Sequence, residues 1–243
     1  MPWWNGRTLP TVDKSVDKVD NPAIGRIFNH SGPIIGLFAK QPIPGQVKTR
    51  LTPPLSTDQA CQLYQIALQE LVTRLRAAGL PLVICYAGQR DWFSQAFPDL
   101  PLLAQAGDGL GARLSNAVQA LFVAGAGPVL MAGSDSPDLP VPLVEEVLVQ
   151  LQKKDVAVIP CQDGGYAVVG MRQPTTELFD GIPWSTSEVL EATRQRSRQL
   201  GLSYYETGFW DDMDEFADLQ RLVARSPETQ TARYIVSELN ELL

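Results

Sequence analysis

Acidic side chains directly follow a buried strand in the stretch VLMAGSDSPDLP, residues 129–140. Its first four residues suit a strand of the protein interior, whereas the residues after them are polar and include Asp135 and Asp138. Two carboxylates on one loop suit a hard divalent cation, Mg²⁺ or Mn²⁺, that is held together with substrate phosphates. Asp135 is nearer the strand end and is therefore the predicted metal ligand. Asp138 could instead cap the following helix or brace the loop.

A loop rich in cations, AKQPIPGQVKTRL at residues 39–51, could bind the phosphates that such a metal accompanies. It lies in a stretch without acidic residues, although the whole chain has 27 acidic and 20 basic residues. Glycine permits a turn with close backbone approach, and arginine offers a bidentate fork for phosphate oxygens. The glycine pattern of a P-loop is absent. The candidate nucleotide- and phosphate-binding residues are Lys40, Gly45, Lys48 and Arg50, and a solvated basic loop is the alternative.

Two glycines follow an aspartate in CQDGGYAVVG, residues 161–170. The Asp-Gly pair could simply form a tight hairpin turn. Alternatively, Gly164 and Gly165 let the backbone approach a bound sugar or base, while Asp163 accepts hydrogen bonds from hydroxyl groups. In the second interpretation Asp163 is the candidate catalytic residue, a general base that would deprotonate an acceptor hydroxyl.

Two more loops carry charged side chains. In WDDMDEFADL, residues 210–219, three aspartates precede a predicted helix. One of them is expected to be the N-cap, and another, which we assign as Asp214, could complete the metal shell. In GDGLGAR, residues 107–113, Arg113 is a candidate nucleotide-binding cation, although an ordinary surface arginine fits the same pattern. The single histidine of the chain, His30, argues against a Ser-His-Asp triad.

The elements that must position these loops alternate between strands and helices. A 3/4 spacing of apolar residues predicts a helix over residues 57–78, which begins with a capping box of Ser56 and Gln59. The other predicted helices cover residues 90–97, 110–124, 140–152, 186–199, 214–225 and 229–242, and the predicted strands cover residues 34–39, 80–87, 100–105, 128–133, 155–161, 165–171 and 202–207. This alternation predicts an α/β fold, a single Rossmann-like three-layer domain at residues 33–243 with a mainly parallel sheet. Residues 1–32 are expected to be a flexible N-terminal extension.

The loops with candidate residues follow the ends of predicted strands. In an open α/β sheet, ligands bind beyond the carboxyl ends of the strands. The basic loop, the loop of Asp135 and the loop of Asp163 each follow a strand, so they should open onto one edge and form one site. The aspartates after residue 210 join this site if their loop folds back onto the same edge.

The composition limits the class of protein. With 243 residues, of which 44% are hydrophobic, the chain can form a large core, and no apolar run reaches the roughly 20 residues that span a bilayer. A net charge of −7 argues against a general nucleic-acid surface. Three cysteines, Cys61, Cys85 and Cys161, stand apart in apolar surroundings, which suits the reduced thiols of a cytoplasmic protein.

Six segments of the chain, taken in order, resemble a known family. They are FAKQPIPGQVKTRL, GDGLGARL, GSDSPDLP, DGGYAVVG, GIPWSTSEVL and DDMDEFADL, and together they span about residues 33–240. Their order is similar to that of the rSAM/selenodomain-associated transferases, which are glycosyltransferase A-like (GT-A) members of the nucleotide-diphospho-sugar transferase superfamily. More distantly similar are 2-phospholactate guanylyltransferase and the molybdenum-cofactor guanylyltransferase. The LAGG signature that opens the latter is replaced here by FAKQPIPG.

The resemblance implies a Rossmann-like sheet that binds a nucleotide diphosphate through the loop after the first strand. Lys40, Lys48 and Arg50 would meet its phosphates, and Asp135 would take the metal position of the superfamily's DxD-like motif, although DSPD is not a strict DxD. The expected function is glycosyl transfer from a nucleotide-sugar to a small-molecule acceptor, with Mg²⁺ or Mn²⁺. The alternatives are nucleotidyl transfer to a phosphorylated small molecule and non-catalytic nucleotide binding.

Overall fold

The apolar runs of the sequence form the strands of one sheet in the computed structural model, which describes residues 32–239. In chain order the strands are β1 (Ile34–Lys40), β2 (Leu82–Ala87), β3 (Leu102–Ala104), β4 (Val129–Gly133), β5 (Val156–Pro160), β6 (Tyr166–Met171) and β7 (Tyr204–Glu206). Their order across the sheet is β3-β2-β1-β4-β6-β5-β7. Only β6 runs antiparallel to its neighbours among these strands, so the predicted mainly parallel sheet is confirmed.

Seven α-helices are present within the described residues. They are α1 (Thr57–Ala77), α2 (Arg90–Ala96), α3 (Gly109–Val123), α4 (Val141–Gln150), α5 (Val189–Gln199), α6 (Phe216–Arg225) and α7 (Gln230–Glu238), and short 3₁₀ helices cover Thr49–Leu51 and Thr176–Phe179. The predicted capping box of α1 is present, since Ser56 Oγ accepts from the Gln59 amide and the Gln59 side chain accepts from the Ser56 amide. α5 begins three residues later than predicted, because residues 186–188 form a turn in which Thr186 Oγ1 donates to Pro183 O.

Helices cover both faces of the sheet, as the three-layer prediction requires. On one face the buried side chains of α1 and α4 pack on alternate residues of the central strands, for example Leu37 and Leu130. On the other face α3 and the start of α5 pack on the intervening residues, for example Val129 and Met131. A third cluster joins α1 to α6 and α7 and thereby holds the C-terminal helices beside the basic loop.

The sheet contains a switch point between β1 and β4. The chain runs from β1 outward to β2 and β3 and then returns to the other side of β1 as β4. The loops that leave β1 and β4 therefore diverge from neighbouring strand ends, which opens a crevice for a ligand. Because β5 is also parallel to β4, its carboxyl end lies at the same edge, and the predicted convergence of the three loops is confirmed.

Some predictions extend beyond the described residues. The N-terminal extension predicted for residues 1–32 lies outside them except for Gly32, and the last residues of the helix predicted over 229–242 also lie outside.

All three cysteines are buried and unpaired. Between residues 32 and 239 no helix is both long enough and apolar enough to cross a membrane.

Candidate active site at the switch point

A buried lysine lies at the centre of the site. Lys48 follows β1, and its left-handed backbone (φ 49°, ψ 40°) precedes the 3₁₀ turn Thr49–Leu51. Only 3% of its side chain is exposed, and its Nζ lies 2.5 Å from Asp135 Oδ1 and 3.0 Å from Asp214 Oδ1. Burial by itself lowers the pKa of Lys48, but the two carboxylates outweigh it and raise the pKa above its usual value. Lys48 is therefore a charged ammonium, and these three residues are called the Lys48 cluster below.

The Lys48 cluster joins loops that are far apart in sequence. Lys48 Nζ also donates to Met213 O, and Met213 N donates to Asp135 O at 2.8 Å. These bonds attach the loop before α6 to the end of β4. Asp214 N in turn donates to Asp218 Oδ2 at 2.9 Å, which fixes the loop on the first turn of α6. The loop therefore folds back onto the ligand edge, which was the condition for its aspartates to join the site.

The N-cap of α6 differs from the sequence prediction. We expected Asp211, Asp212 or Asp214 to cap this helix, but the cap is Glu215, which forms a capping box with Asp218. The cap lies one residue beyond Asp214 and the helix begins at Phe216, so none of the three aspartates serves as the N-cap.

Asp138 has a structural role. Its side chain is 1% exposed and accepts from Arg225 Nε at 2.7 Å, from Arg225 Nη2 at 3.0 Å and from Ser226 Oγ at 2.8 Å. Arg225 Nη2 also donates to Asp211 O at 2.9 Å. Of the two roles left open by the sequence, Asp138 therefore braces the loop, while Pro140 is the N-cap of α4. This network attaches the β4 loop to the end of α6.

Asp212 is a member of the site that sequence reasoning did not single out. Burial raises its pKa to about 7, with further contributions from the carboxylates of Asp214, Asp163 and Asp135, against which Lys48 acts weakly. Four carboxylates are thus close enough to influence one another. The WDDMD motif indicated an acidic loop, but the burial of one particular aspartate depends on the packing of that loop.

A cavity of about 380 Å³ lies beside the Lys48 cluster. Its polar lining includes Arg50, Asp163, Gly165 and Asp214, which the sequence predicted as site residues. Arg50 is 59% exposed and its Nη1 lies 3.4 Å from Asp214 Oδ2. The remaining lining is largely apolar and comes from β1, β4, β6, α3 and the segment that includes Trp184.

Asp163 is both a hairpin residue and a residue of the cavity. β5 and β6 are joined by a tight turn in which Cys161 N donates to Gly165 O at 3.0 Å. Asp163 Oδ1 accepts from Gly165 N at 2.8 Å, which orients the carboxylate toward its own turn and leaves the other oxygen, Oδ2, for further contacts. The two interpretations of this motif are therefore compatible.

Six predicted residues are absent from the cavity lining: Lys48 and Asp135, which belong to the adjacent Lys48 cluster, and the four described next. Lys40 ends β1, and its amide donates to Tyr64 Oη at 3.0 Å; that hydroxyl also lies 3.0 Å from Ser134 Oγ. Gly45 has a left-handed φ of 76° in the basic loop. Arg113 Nε donates to Gly107 O at 3.2 Å, a contact within its own loop segment. Gly164 packs on the backbone of the turn that precedes α5, since a Cβ at this position would lie 2.0 Å from Ser187 O.

Few side chains in the site could serve as metal ligands. The described residues hold no ready-made group of three or more His, Cys, Asp or Glu side chains in metal-ligand arrangement. Asp135 and Asp214 nevertheless converge on one point, the Lys48 ammonium, and their side chains are 41% and 34% exposed. One or two carboxylates completed by substrate phosphates are the usual protein contribution to a Mg²⁺ site. These two residues therefore fit a metal that arrives with a phosphorylated ligand.

Comparisons with known proteins agree with this architecture. A family described as "Uncharacterized protein conserved in bacteria (DUF2064)" matches residues 70–186. The crystal structure of a "putative nucleotide-diphospho-sugar transferase" from Desulfovibrio desulfuricans G20 is 32% identical, with a TM-score of 0.79, and the match covers 87% of this chain and 96% of that one. No curated protein matches the sequence.

More distant structures share the fold alone. The structure of 4-diphosphocytidyl-2C-methyl-D-erythritol synthase has a TM-score of 0.55 at 12% identity, covering 79% of this chain and 97% of that one. A nucleotidyl transferase from Methanothermobacter has the same TM-score and identity, and the match covers 79% of this chain and 96% of that one. The ordered motifs, the sheet and the Desulfovibrio relative lead to one assignment. The chain belongs to the same nucleotide-diphospho-sugar transferase-like family as the Desulfovibrio protein, and its residues 70–186 match the DUF2064 description.

Proposed function

We propose that this protein transfers a glycosyl group from a nucleotide-sugar to the hydroxyl group of a small-molecule acceptor. The observation that carries the proposal is the Lys48 cluster, in which a buried cation and two convergent carboxylates meet at the switch point of the sheet. A nucleotide diphosphate needs cationic donors and a metal site close together, and the cluster offers both. The name of the Desulfovibrio relative supports the same donor class.

The diphosphate is expected to bind at Lys48 and Arg50. Lys48 would act through its positive charge, because its three N–H groups already contact Asp135, Asp214 and Met213 O. Arg50 is exposed beside the cavity, where its guanidinium can turn toward phosphate oxygens. Asp135 and Asp214 would hold Mg²⁺ or Mn²⁺, which would neutralise charge on the departing diphosphate. Lys40 and Gly45 are proposed to contact the same ligand from the basic loop.

Asp163 is the proposed general base. Its carboxylate lines the cavity together with Arg50 and Asp214, so an acceptor in the cavity would border both the proposed base and the proposed diphosphate site. Asp163 Oδ2 would take the proton of the acceptor hydroxyl, whose oxygen then attacks the anomeric carbon of the sugar. The bond from that carbon to the diphosphate breaks, and the nucleoside diphosphate leaves with the bonding electron pair.

A thermal-shift panel tests the donor class. The ligands are UDP, GDP, CDP and ADP, their triphosphates and their sugar conjugates, each with and without Mn²⁺. A ligand at about a hundred times its Kd adds about 2.7 kcal/mol, which corresponds to a Tm increase of about 5–11 °C for a protein of this size. We expect a metal-dependent increase with one diphosphate and its sugar conjugate. An increase only with a triphosphate, together with pyrophosphate release, would instead indicate nucleotidyl transfer.

Two substitutions locate the activity. Arg50→Gln should weaken nucleotide binding, whereas Arg76→Gln, which alters a similarly exposed arginine 3.9 Å from Asp99, should not. Asp163→Asn keeps an oxygen that can accept from Gly165 N, so it should preserve donor binding while lowering kcat about 10²–10⁴-fold. Equal effects of the two arginine variants, or full activity of Asp163→Asn, would contradict these roles.

A further inference from the structure

We propose that the cavity beside the Lys48 cluster binds the acceptor, and that this acceptor is an uncharged hydroxyl compound with an apolar face. The inference rests on the proposed function, since it names the second substrate of the same site. At about 380 Å³ the cavity has the volume of a small-molecule site. Its charges and its aromatic wall determine which class of molecule it accepts.

The charges on the wall disfavour an anionic acceptor. Asp163 and Asp214 both line the cavity, and Arg50 is the single cation among the lining residues that the structure describes. Arg50 is already 3.4 Å from Asp214 Oδ2, so its charge is partly compensated. The donor's phosphates are proposed to enter with a divalent cation, but a phosphate or carboxylate of the acceptor that enters without one would meet two carboxylates and one partly compensated cation. Like charges at close range suppress such binding. A neutral molecule carries no such cost.

Another part of the wall is aromatic and fixed in place. The Trp184 ring packs edge-on against Tyr166, with ring centroids 6.4 Å apart and an interplanar angle of 87°. α3 approaches Trp184 closely at Gly111, where a Cβ would lie 2.6 Å from Trp184 Nε1. A rigid indole offers apolar contact area at low entropic cost. This wall suits a ring or an alkyl face of the acceptor.

Hydroxyl groups border the same cavity. Ser185 and Ser187 line it, and within residues 32–239 their side chains make no hydrogen bond. They can therefore donate to or accept from the hydroxyl groups of a bound ligand. An acceptor with an apolar face and several hydroxyl groups matches the aromatic wall, the serine rim and the two carboxylates at once.

Two probes that share one chromophore test the charge selectivity. Equilibrium dialysis without nucleotide compares 4-nitrophenyl β-D-glucoside, which is neutral, with 4-nitrophenyl phosphate, which is a dianion at about pH 7.5. We expect the unmodified protein to bind the glucoside at least about tenfold more tightly than the phosphate. Equal or tighter binding of the phosphate would overturn the proposal, and so would retention of neither probe.

A matched pair of substitutions on α3 locates the binding. Leu110 and Val123 are both exposed apolar residues, at 42% and 70%, but only Leu110 lines the cavity. Leu110→Arg should raise the affinity for 4-nitrophenyl phosphate about tenfold, and Val123→Arg should change neither probe. Identical behaviour of the two variants would overturn the proposal. Because no nucleotide is present, this failure is distinct from the absence of a nucleotide-dependent Tm increase, which would refute the proposed function.

Discussion

Replacement of the buried Asp138 by alanine should destabilise the protein strongly although Asp138 takes no part in chemistry. The carboxylate is 1% exposed and accepts three hydrogen bonds, two from Arg225 and one from Ser226. Removal of one partner of a buried ion pair costs about 3–5 kcal/mol, because the other charge is left without compensation. Arg225 keeps its bond to Asp211 O and its position 4.6 Å from the centroid of the Trp210 ring, so we expect the lower end, about 3 kcal/mol.

Urea unfolding followed by circular dichroism measures this cost directly. A loss of about 3 kcal/mol corresponds to a Tm about 6–12 °C lower in a domain of this size. The matched control is Asp99→Ala, since Asp99 forms an exposed ion pair with Arg76 at 3.9 Å with side chains 76% and 49% exposed. Loss of such a pair should cost less than about 1 kcal/mol.

A double-mutant cycle separates the ion pair from the packing of the two side chains. Asp138→Ala, Arg225→Ala and the double variant should show a coupling energy between about 1 and 3 kcal/mol, as residues of one buried network do. Nucleotide binding should also weaken in each variant, because the pair attaches the β4 loop to the loop of Asp214. A cost of Asp138→Ala no larger than that of Asp99→Ala, or an absence of coupling, would refute this account of the network.

Two further substitutions test the support of the site and the pH dependence of stability. Gly164→Ala places a Cβ 2.0 Å from Ser187 O at a backbone φ of 91°, so it should lower the Tm and distort the cavity. The control is Gly208→Ala, whose Cβ meets no atom within 4 Å and which should leave the Tm nearly unchanged. Hydrogen bonds from Arg194 at 2.5 and 2.7 Å lower the pKa of the Glu206 carboxyl below its usual 4.5. The ion pair therefore stabilises the fold above about pH 4.5, and this contribution is lost as the pH falls through the folded-state pKa of Glu206. The Tm difference between the unmodified protein and Glu206→Gln should therefore be larger at about pH 7 than at about pH 3.5, and an equal difference at both values would contradict the shift.

The sheet and its ligand edge were predictable because they follow from periodic patterns. Apolar runs and a 3/4 spacing locate strands and helices, and the carboxyl-end rule then brings the basic loop and Asp135 together without knowledge of any contact. The antiparallel direction of β6 was not predicted, because the short turn at Gly164 and Gly165 was interpreted both as a hairpin and as a ligand loop. The structure shows that the turn serves as a hairpin beside the cavity.

Contacts between distant segments were not predictable from local patterns. The pair of Asp138 and Arg225 is separated by 87 positions, and nothing in either segment indicates the other. The same holds for Trp184, whose GIPWSTSEVL motif carried the family resemblance but suggested no contact with α3. Such side chains acquire their roles from tertiary packing, so a single sequence indicates that they are unusual without showing what they touch.

The charge balance of the site explains why Asp135 follows a buried strand, whereas the second aspartate of that loop, Asp138, is explained by its ion pair with Arg225. Up to four carboxylates influence one another around Asp212, and burial among them raises its pKa to about 7. Lys48 is the cation that two of them contact, and Arg50 lies near one of these two. A diphosphate that entered alone would add negative charge to an already acidic group of residues, whereas one that enters with a divalent cation adds compensation at Asp135. We therefore predict that nucleotide binding depends on a divalent metal, and nucleotide binding of equal strength without a metal would show that Lys48 and Arg50 suffice.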